Sequence, residues 1–468
     1  MLLEPDDLKA VLEAALEEGG DFAEIFLERR RTTGIGCEDN KIERVHSGLD
    51  QGAGIRVIRG ENTVYGYTND FSREGLLELA RTVGKAAGGK GAKPEIRWQR
   101  PKPNWDFQVK KRPDQVPVED KVALVRRANE AARAVDARIV QVSVAYGDVL
   151  QEVTIANSEG VLVEDERVRC RLVVHAVASD GKIIQTGYES AGGLIGFELF
   201  EDNDPVALAR RAAERAVRML EARPAPAGRM TVVMAGEAGG TMIHEACGHG
   251  LEADLVQKQL SVYAGKKGQQ VASPLITVID DATLPGKYGS FRFDDEGHPG
   301  QRTVLIQDGI LQDYMYDYLT ARREGRRSTG NGRRESYQDR PIPRMTNTFI
   351  APGKDDPEAI IRETARGLLV KRMGGGQVNT TNGDFVFEVA EGYLIENGQI
   401  GPAVRGATLT GNGPEVLQMV DRVGSDLGFS LGTCGKDGQG VPVGDAQPTI
   451  RIPEMVVGGI LEEEEEKT

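Results

Sequence analysis

The chain has 468 residues, 39% of them apolar and 28% charged, which is enough for two or three cored domains and excludes wholesale disorder. Its 58 Lys and Arg stand against 72 Asp and Glu, and the net charge of −14 argues against a protein that works by neutralising nucleic-acid phosphates. No stretch approaches the run of about 18 apolar residues that a membrane span needs, and the start of the chain lacks the basic-then-apolar pattern of a secretory signal.

Leu8, Val11, Leu12, Ala15 and Leu16 keep helical spacing behind Asp6 and Asp7 and stop at Gly19-Gly20, which predicts a capped amphipathic helix. Alternating or β-branched runs at 22–30, 41–46, 53–58 and 63–68 predict strands, and 72–87 returns to helical periodicity. The same order recurs. Residues 118–135 read as a helix, 139–188 as short strands with turns at Ser158-Glu159-Gly160 and Ser179-Asp180-Gly181, and 205–222 as a helix. That recurrence points to an internal duplication, with two adjacent α+β layers as the alternative.

The Arg-Pro-Ala-Pro-Ala-Gly stretch at 223–228 reads as a linker. Residues 1–222 then form an N-terminal α+β domain and 229–461 a strand-rich C-terminal domain. Hairpins are expected around Asp308-Gly309 and Asn397-Gly398, with helices near 241–254, 356–366 and 414–424. Residues 462–468 form a charged tail, read as a disordered end. The expected fold class is α+β. Cysteines at 37, 170, 247 and 434 share no paired spacing, so a disulfide framework is not expected and a reducing cytoplasm fits.

Two of the five histidines sit in His244-Glu245-Ala-Cys247-Gly248-His249, with Glu252 and Asp254 following. In the H-E-x-x-H zinc pattern the histidines share a helix face and the glutamate is general base, but here the spacing is one residue longer. On a straight α-helix the fifth position lies about 140° around the axis, so the imidazoles would diverge. Gly248 and Gly250 permit a π-bulge or a helix exit with unusual backbone angles that would return His249 towards His244. A catalytic zinc site needs a third protein donor, for which Cys247, Cys434, His298, Glu252 and Asp254 are candidates. Cys434 lies in a glycine-rich loop able to bring its thiolate close, whereas Cys247 points away on the helix.

His244-Glu-Ala-Cys-Gly-His249 together with Gly432-Thr-Cys-Gly-Lys-Asp-Gly-Gln-Gly440 resembles the metal-bearing TldD branch of the TldD/PmbA metallopeptidase family. The resemblance extends through Asp50-Gln-Gly-Ala-Gly-Ile-Arg-Val-Ile58 and Pro343-Arg-Met-Thr-Asn-Thr348. It implies zinc (Zn2+) held by His244, His249 and Cys434, with Glu245 as catalytic base. It further implies an N-terminal mixed domain ahead of a strand-rich one with the metal, and a dimer, either of identical chains or with a metal-less paralogue.

Arg322, Arg323, Arg326, Arg327, Arg333, Arg334 and Arg340 crowd a glycine-containing segment. Arg333 and Arg334 are candidates for gripping peptide carbonyls or a C-terminal carboxylate, the alternative being a surface loop or subunit contact. His298, in Asp294-Asp-Glu-Gly-His298, is a candidate further ligand or oxyanion donor. The leading expectation is a cytoplasmic zinc peptidase acting on unfolded or flexible peptides, bound mainly through backbone pairing. The alternatives are a non-catalytic modulator of a partner complex with a structural zinc, and an amidohydrolase with Cys434 as nucleophile.

Overall fold

The computed structural model describes residues 2–89, 91 and 94–460, so the charged tail lies outside the described residues. The first half is built from helix α1 (Pro5–Leu16), strands β1 (Phe22–Glu38), β2 (Lys41–Arg59) and β3 (Asn62–Thr68), and helix α2 (Arg73–Ala87). The order then repeats with α3 (Val118–Arg133), β4 (Ile139–Asn157), β5 (Leu162–Ser179), β6 (Ile184–Gly193) and the helix Pro205–Glu221. All six strands form one antiparallel sheet, ordered β3-β2-β1-β4-β5-β6, in which the two units meet at the β1–β4 pair. Leu8, Val11, Leu12 and Ala15 of α1 pack under Ile25, Ile55 and Val57, while Leu124 and Val125 of α3 pack with Ala209 and Ala212 against Val144 and Val174. Each helix pair thus covers half of the sheet.

The strands are longer than their sequence pattern predicts. Residues 41–46 and 53–58 belong to one strand, because β1 pairs with β2 without interruption across Gly48 and Gly52. Gly52 is required by packing, since a Cβ there would lie 2.1 Å from the Tyr337 ring. The proline stretch at 223–228 is tied down as well, with Arg223-Pro224 pairing in parallel with Val404-Arg405 and Ala225 buried.

In the second half, strands Arg366–Val378, Gly228–Met234, Ile450–Gly458, Thr408–Asn412 and Asp384–Glu396 are hydrogen-bonded in that order. The last pairs back with the first, closing a ring of strands. Phe385, Phe387, Leu409 and Ile452 join Met242, Ile243, Ala246 and Cys247 in one core, so the segment around His244 is anchored on the ring. A second sheet ends at the hairpin of Gly428–Lys436 and Gln439–Gln447, with Gly428–Lys436 at its edge. The hairpins at Asp308-Gly309 and Asn397-Gly398 are present, with positive φ at both residues of each turn.

Candidate metal centre

The segment after Gly240 begins as one helical turn, Thr241–Ile243, widens into a π-turn over His244–Gly248, and tightens into a 3₁₀ turn over His249–Leu251. The His249 amide donates to the His244 carbonyl, five residues back. That wider turn absorbs the extra residue of H-E-x-x-x-H and sets the imidazoles edge to face, 5.0 Å apart between centroids and at 89°. The flanking glycines act differently from the expectation of unusual angles: Gly248 has ordinary helical φ −53° and ψ −58°. What it provides is space, because a Cβ would lie 2.2 Å from Met345 Sδ, and one on Gly250 would lie 2.8 Å from the Tyr263 ring.

Cys434 arrives on a strand, not on the loop that its glycines led us to expect. Asp437 and Gly438, at φ 51° and 77°, make the tight turn of its hairpin, and Cys434 pairs with Val441. Its Sγ lies 3.2 Å from His244 Nε2 and 3.4 Å from His249 Nε2. Tetrahedral zinc with ordinary bond lengths would separate a nitrogen from a sulfur donor by about 3.5 Å, so the three atoms fit one ion closely. Cys247 is buried and its Sγ donates to the Ile243 carbonyl, outside this group.

A buried polar clamp holds the donors. His249 Nδ1 donates to Glu252 Oε2 at 3.1 Å, which orients the ring with Nε2 towards Cys434, where it would offer its lone pair once a metal replaces the proton shared with the sulfur. Lys436, two residues beyond Cys434, reaches Glu252 Oε2 at 3.0 Å and Asp254 Oδ1 at 2.6 Å. Arg344 donates to the Cys434 carbonyl and stands 3.9 Å from Glu252 Oε1. Glu252 and Asp254, named from sequence among candidate third donors, therefore act behind the donors. The roles of Lys436 and Arg344 were not foreseen, although both lie in runs that carry the family resemblance.

Burial opposes a thiolate at Cys434, but hydrogen bonds from the two imidazoles outweigh it and bring the thiol down to about 5. The side chain is thus poised as a thiolate donor. Glu245 lines the same cavity, with no hydrogen bond or ion pair among the described residues, and burial raises its pKa above the ordinary 4.5. The cavity, about 830 Å³, is lined by His244, Glu245, His249 and Cys434, and also by Tyr188 and Glu189 of β6 and by Arg372. The N-terminal sheet therefore supplies part of its wall.

Three residues assigned to the site from sequence are placed elsewhere. Arg333 is buried, donating to the carbonyls of Met345 at 2.6 Å and Pro442 at 2.7 Å. Arg334 is equally buried, reaching Glu24 Oε1 of β1 at 2.6 Å and lying over the Phe26 ring. Arg334 thereby ties the second half to the first and Arg333 braces the second half internally, and with both guanidinium groups engaged the substrate-binding assignment is corrected. His298 sits in a loop whose backbone bonds to Asp294, and it lines neither the cavity nor the donor group.

Models of a PmbA/TldA metallopeptidase match the chain as domain 1 over residues 23–87, as the central domain over 111–220 and as the C-terminal domain over 227–459. A metalloprotease TldD homolog of Haemophilus influenzae is 38% identical over 449 residues, 94% of this chain and 93% of that one. A metalloprotease of Methanothermobacter thermautotrophicus is 39% identical over 469 residues, 98% of this chain and all of that one. Among solved structures, TldE from Thermococcus kodakarensis shares the fold with a TM-score of 0.77 at 21% identity, covering 97% of this chain and 100% of that chain. With three domain models in chain order and relatives near 40% identity along its whole length, the chain belongs to the PmbA/TldD family of metallopeptidases.

Proposed function

We propose that this chain is a zinc-dependent peptidase that hydrolyses peptide bonds in unfolded or flexible chains and leader segments. The observation that carries the reading is the convergence of His244 Nε2, His249 Nε2 and Cys434 Sγ on one point beside Glu245. Two imidazoles and a thiolate suit zinc, and among the described residues the donor group has three members, one short of a closed structural site. That count speaks against a non-catalytic modulator with a structural zinc. When bound, zinc supplies an activated water and polarises the scissile carbonyl.

The rest of the chemistry falls to the chain itself. Glu245 faces the cavity without a partner, takes the proton of the attacking water and returns it to the leaving amine. Its raised pKa brings it nearer the value at which a carboxylate both accepts and donates at neutral pH. Glu252 keeps the His249 ring oriented. The edge strand Gly428–Lys436 lines the cavity from Phe429 onward, so an extended peptide can add to it through main-chain hydrogen bonds. A folded protein offers no such strand. We place the enzyme in the cytoplasm, as a homodimer or paired with a metal-less relative; no described helix is long and apolar enough to cross a membrane.

The test combines metal analysis with cleavage of an unstructured peptide. Glu245→Gln should retain zinc and lose cleavage, and Cys434→Ala should lose zinc. Near-normal turnover in Glu245→Gln overturns the base assignment. Activity that survives chelation but is lost to iodoacetamide would instead make Cys434 a nucleophile.

A further inference from the structure

A second cavity, about 620 Å³, opens beside the first and shares Gln377 and Val378 with it. Three exposed apolar side chains lie in it: Val386 at 50% exposure, Val456 at 39% and Met419 at 38%. Nothing in the proposed chemistry uses them, and exposed apolar groups gathered in one groove point to a binding surface.

The two cavities lie on one ribbon. Along Asp384–Glu396 burial alternates strictly between Asp384 and Val389, with Phe385, Phe387 and Val389 inward and Val386, Glu388 and Ala390 outward. Ala390 lines the metal cavity and Val386 the groove, and Val386 pairs with Gln377 across the ribbon. Four residues of strand separate them, about 13 Å at the usual rise, which is also the reach of about four residues of an extended peptide.

We propose that this groove is a distal subsite for the same extended peptide that enters the metal cavity, and that it takes an apolar side chain about four residues or more from the scissile bond. The inference rests on the peptidase reading. Continuity of the wall selects the occupant: a peptide leaving the cavity along the ribbon meets the groove without turning. Main-chain pairing beside the metal would then set where a chain can be cut, and the groove would favour chains with an apolar residue at the right remove. Preference would thus come from a site that touches no reacting atom.

The experiment uses the full chain and three labelled peptides: a long unstructured one with leucines spaced about four to six residues on both sides of its centre, the same peptide with serines there, and a central fragment too short to reach the groove. The leucine peptide should bind the Glu245→Gln protein about tenfold more tightly than the serine peptide, as expected for burying one or two apolar side chains. Val386→Glu and Val456→Glu, on exposed positions that tolerate charge, should abolish that difference and raise KM for the leucine peptide with little change in kcat. Equal binding of the two long peptides overturns the subsite even if cleavage is normal. So does a change of oligomeric state in Val386→Glu with peptide discrimination intact, which would assign the groove to a second copy of the chain. Failure of the wild-type protein to cut any of the peptides, with discrimination retained, strikes the peptidase reading instead.

Discussion

Replacing Glu252 by glutamine keeps the side chain's shape and removes its charge, which isolates what that carboxylate does for the donors. Glu252 is wholly buried and bonded to His249 Nδ1 at 3.1 Å and Lys436 Nζ at 3.0 Å, with Arg344 Nε 3.9 Å away. Removing one partner of a buried charge pair typically costs 3–5 kcal/mol, and Lys436 keeps Asp254 at 2.6 Å, so the loss should fall near the low end, about 3 kcal/mol. Losing the carboxylate that orients a ligating imidazole weakens metal binding about 10- to 100-fold, or about 1.4 to 2.7 kcal/mol. The two effects are separable. Urea unfolding in chelator reads the first, and competition for the metal against a chelating dye at pH 7 reads the second. Asp254→Asn is the comparison, since Asp254 bonds Lys436 but not His249: it should lower stability and leave metal affinity nearly unchanged. If Glu252→Gln loses stability yet binds metal within about twofold of wild type, the carboxylate is scaffold only and the ring-orientation argument is wrong.

Arg334→Met should lower stability by about 3 kcal/mol, because Glu24 keeps only Arg56 in a buried setting, and should leave KM for peptides unchanged; a large KM change would restore its place in substrate binding. Gly248→Ala should cost about 1 to 3 kcal/mol through the contact with Met345, and in a Met345→Ala background most of that should disappear, as a double-mutant cycle of urea midpoints would show. Burial raises the pKa of Glu391, but hydrogen bonds from Arg215 and Tyr393 outweigh it and hold the folded-state value below 4.5. Its contribution, about 2 kcal/mol from charged hydrogen bonds, should be full above that value and vanish as pH falls through the lower, folded-state one. Stability of Glu391→Gln against wild type, followed from neutral pH downward, should therefore converge on the acid side; a gap that widens there would reverse the sign.

The helices were legible because each buries one periodic face, as Leu8, Val11, Leu12 and Ala15 show, and hairpins were legible where Asp-Gly or Asn-Gly marked them. Strand length was not. Whether a strand continues past Gly48 depends on its neighbour β1, and that pairing is non-local. The histidine spacing demanded a local departure from the α-helix, and the π-turn supplies it; the glycines' part was misjudged because the contacts they relieve come from side chains outside the motif, Met345 at Gly248 and Tyr263 at Gly250. The arginine segment misled for a similar reason. A sequence shows that Arg333 and Arg334 are cationic, but not that Glu24, two carbonyls and an aromatic face already engage them. The fit of Cys434 to the histidines came from the family resemblance, since no local pattern links residues 190 positions apart.

That separation has a consequence for the order in which the protein is made. The two imidazoles emerge from the ribosome early, but a nascent chain has them alone, one donor short of a competent site. The thiolate that completes the set, and the lysine that latches it to Glu252, come on the same late hairpin, which needs Asp437-Gly438 before it can turn back and pair. Metal capture is therefore tied to the docking of a hairpin synthesised well after the histidines, 190 positions beyond His244. The donor set thus stays incomplete until the fold itself has brought residues from both ends of that separation together.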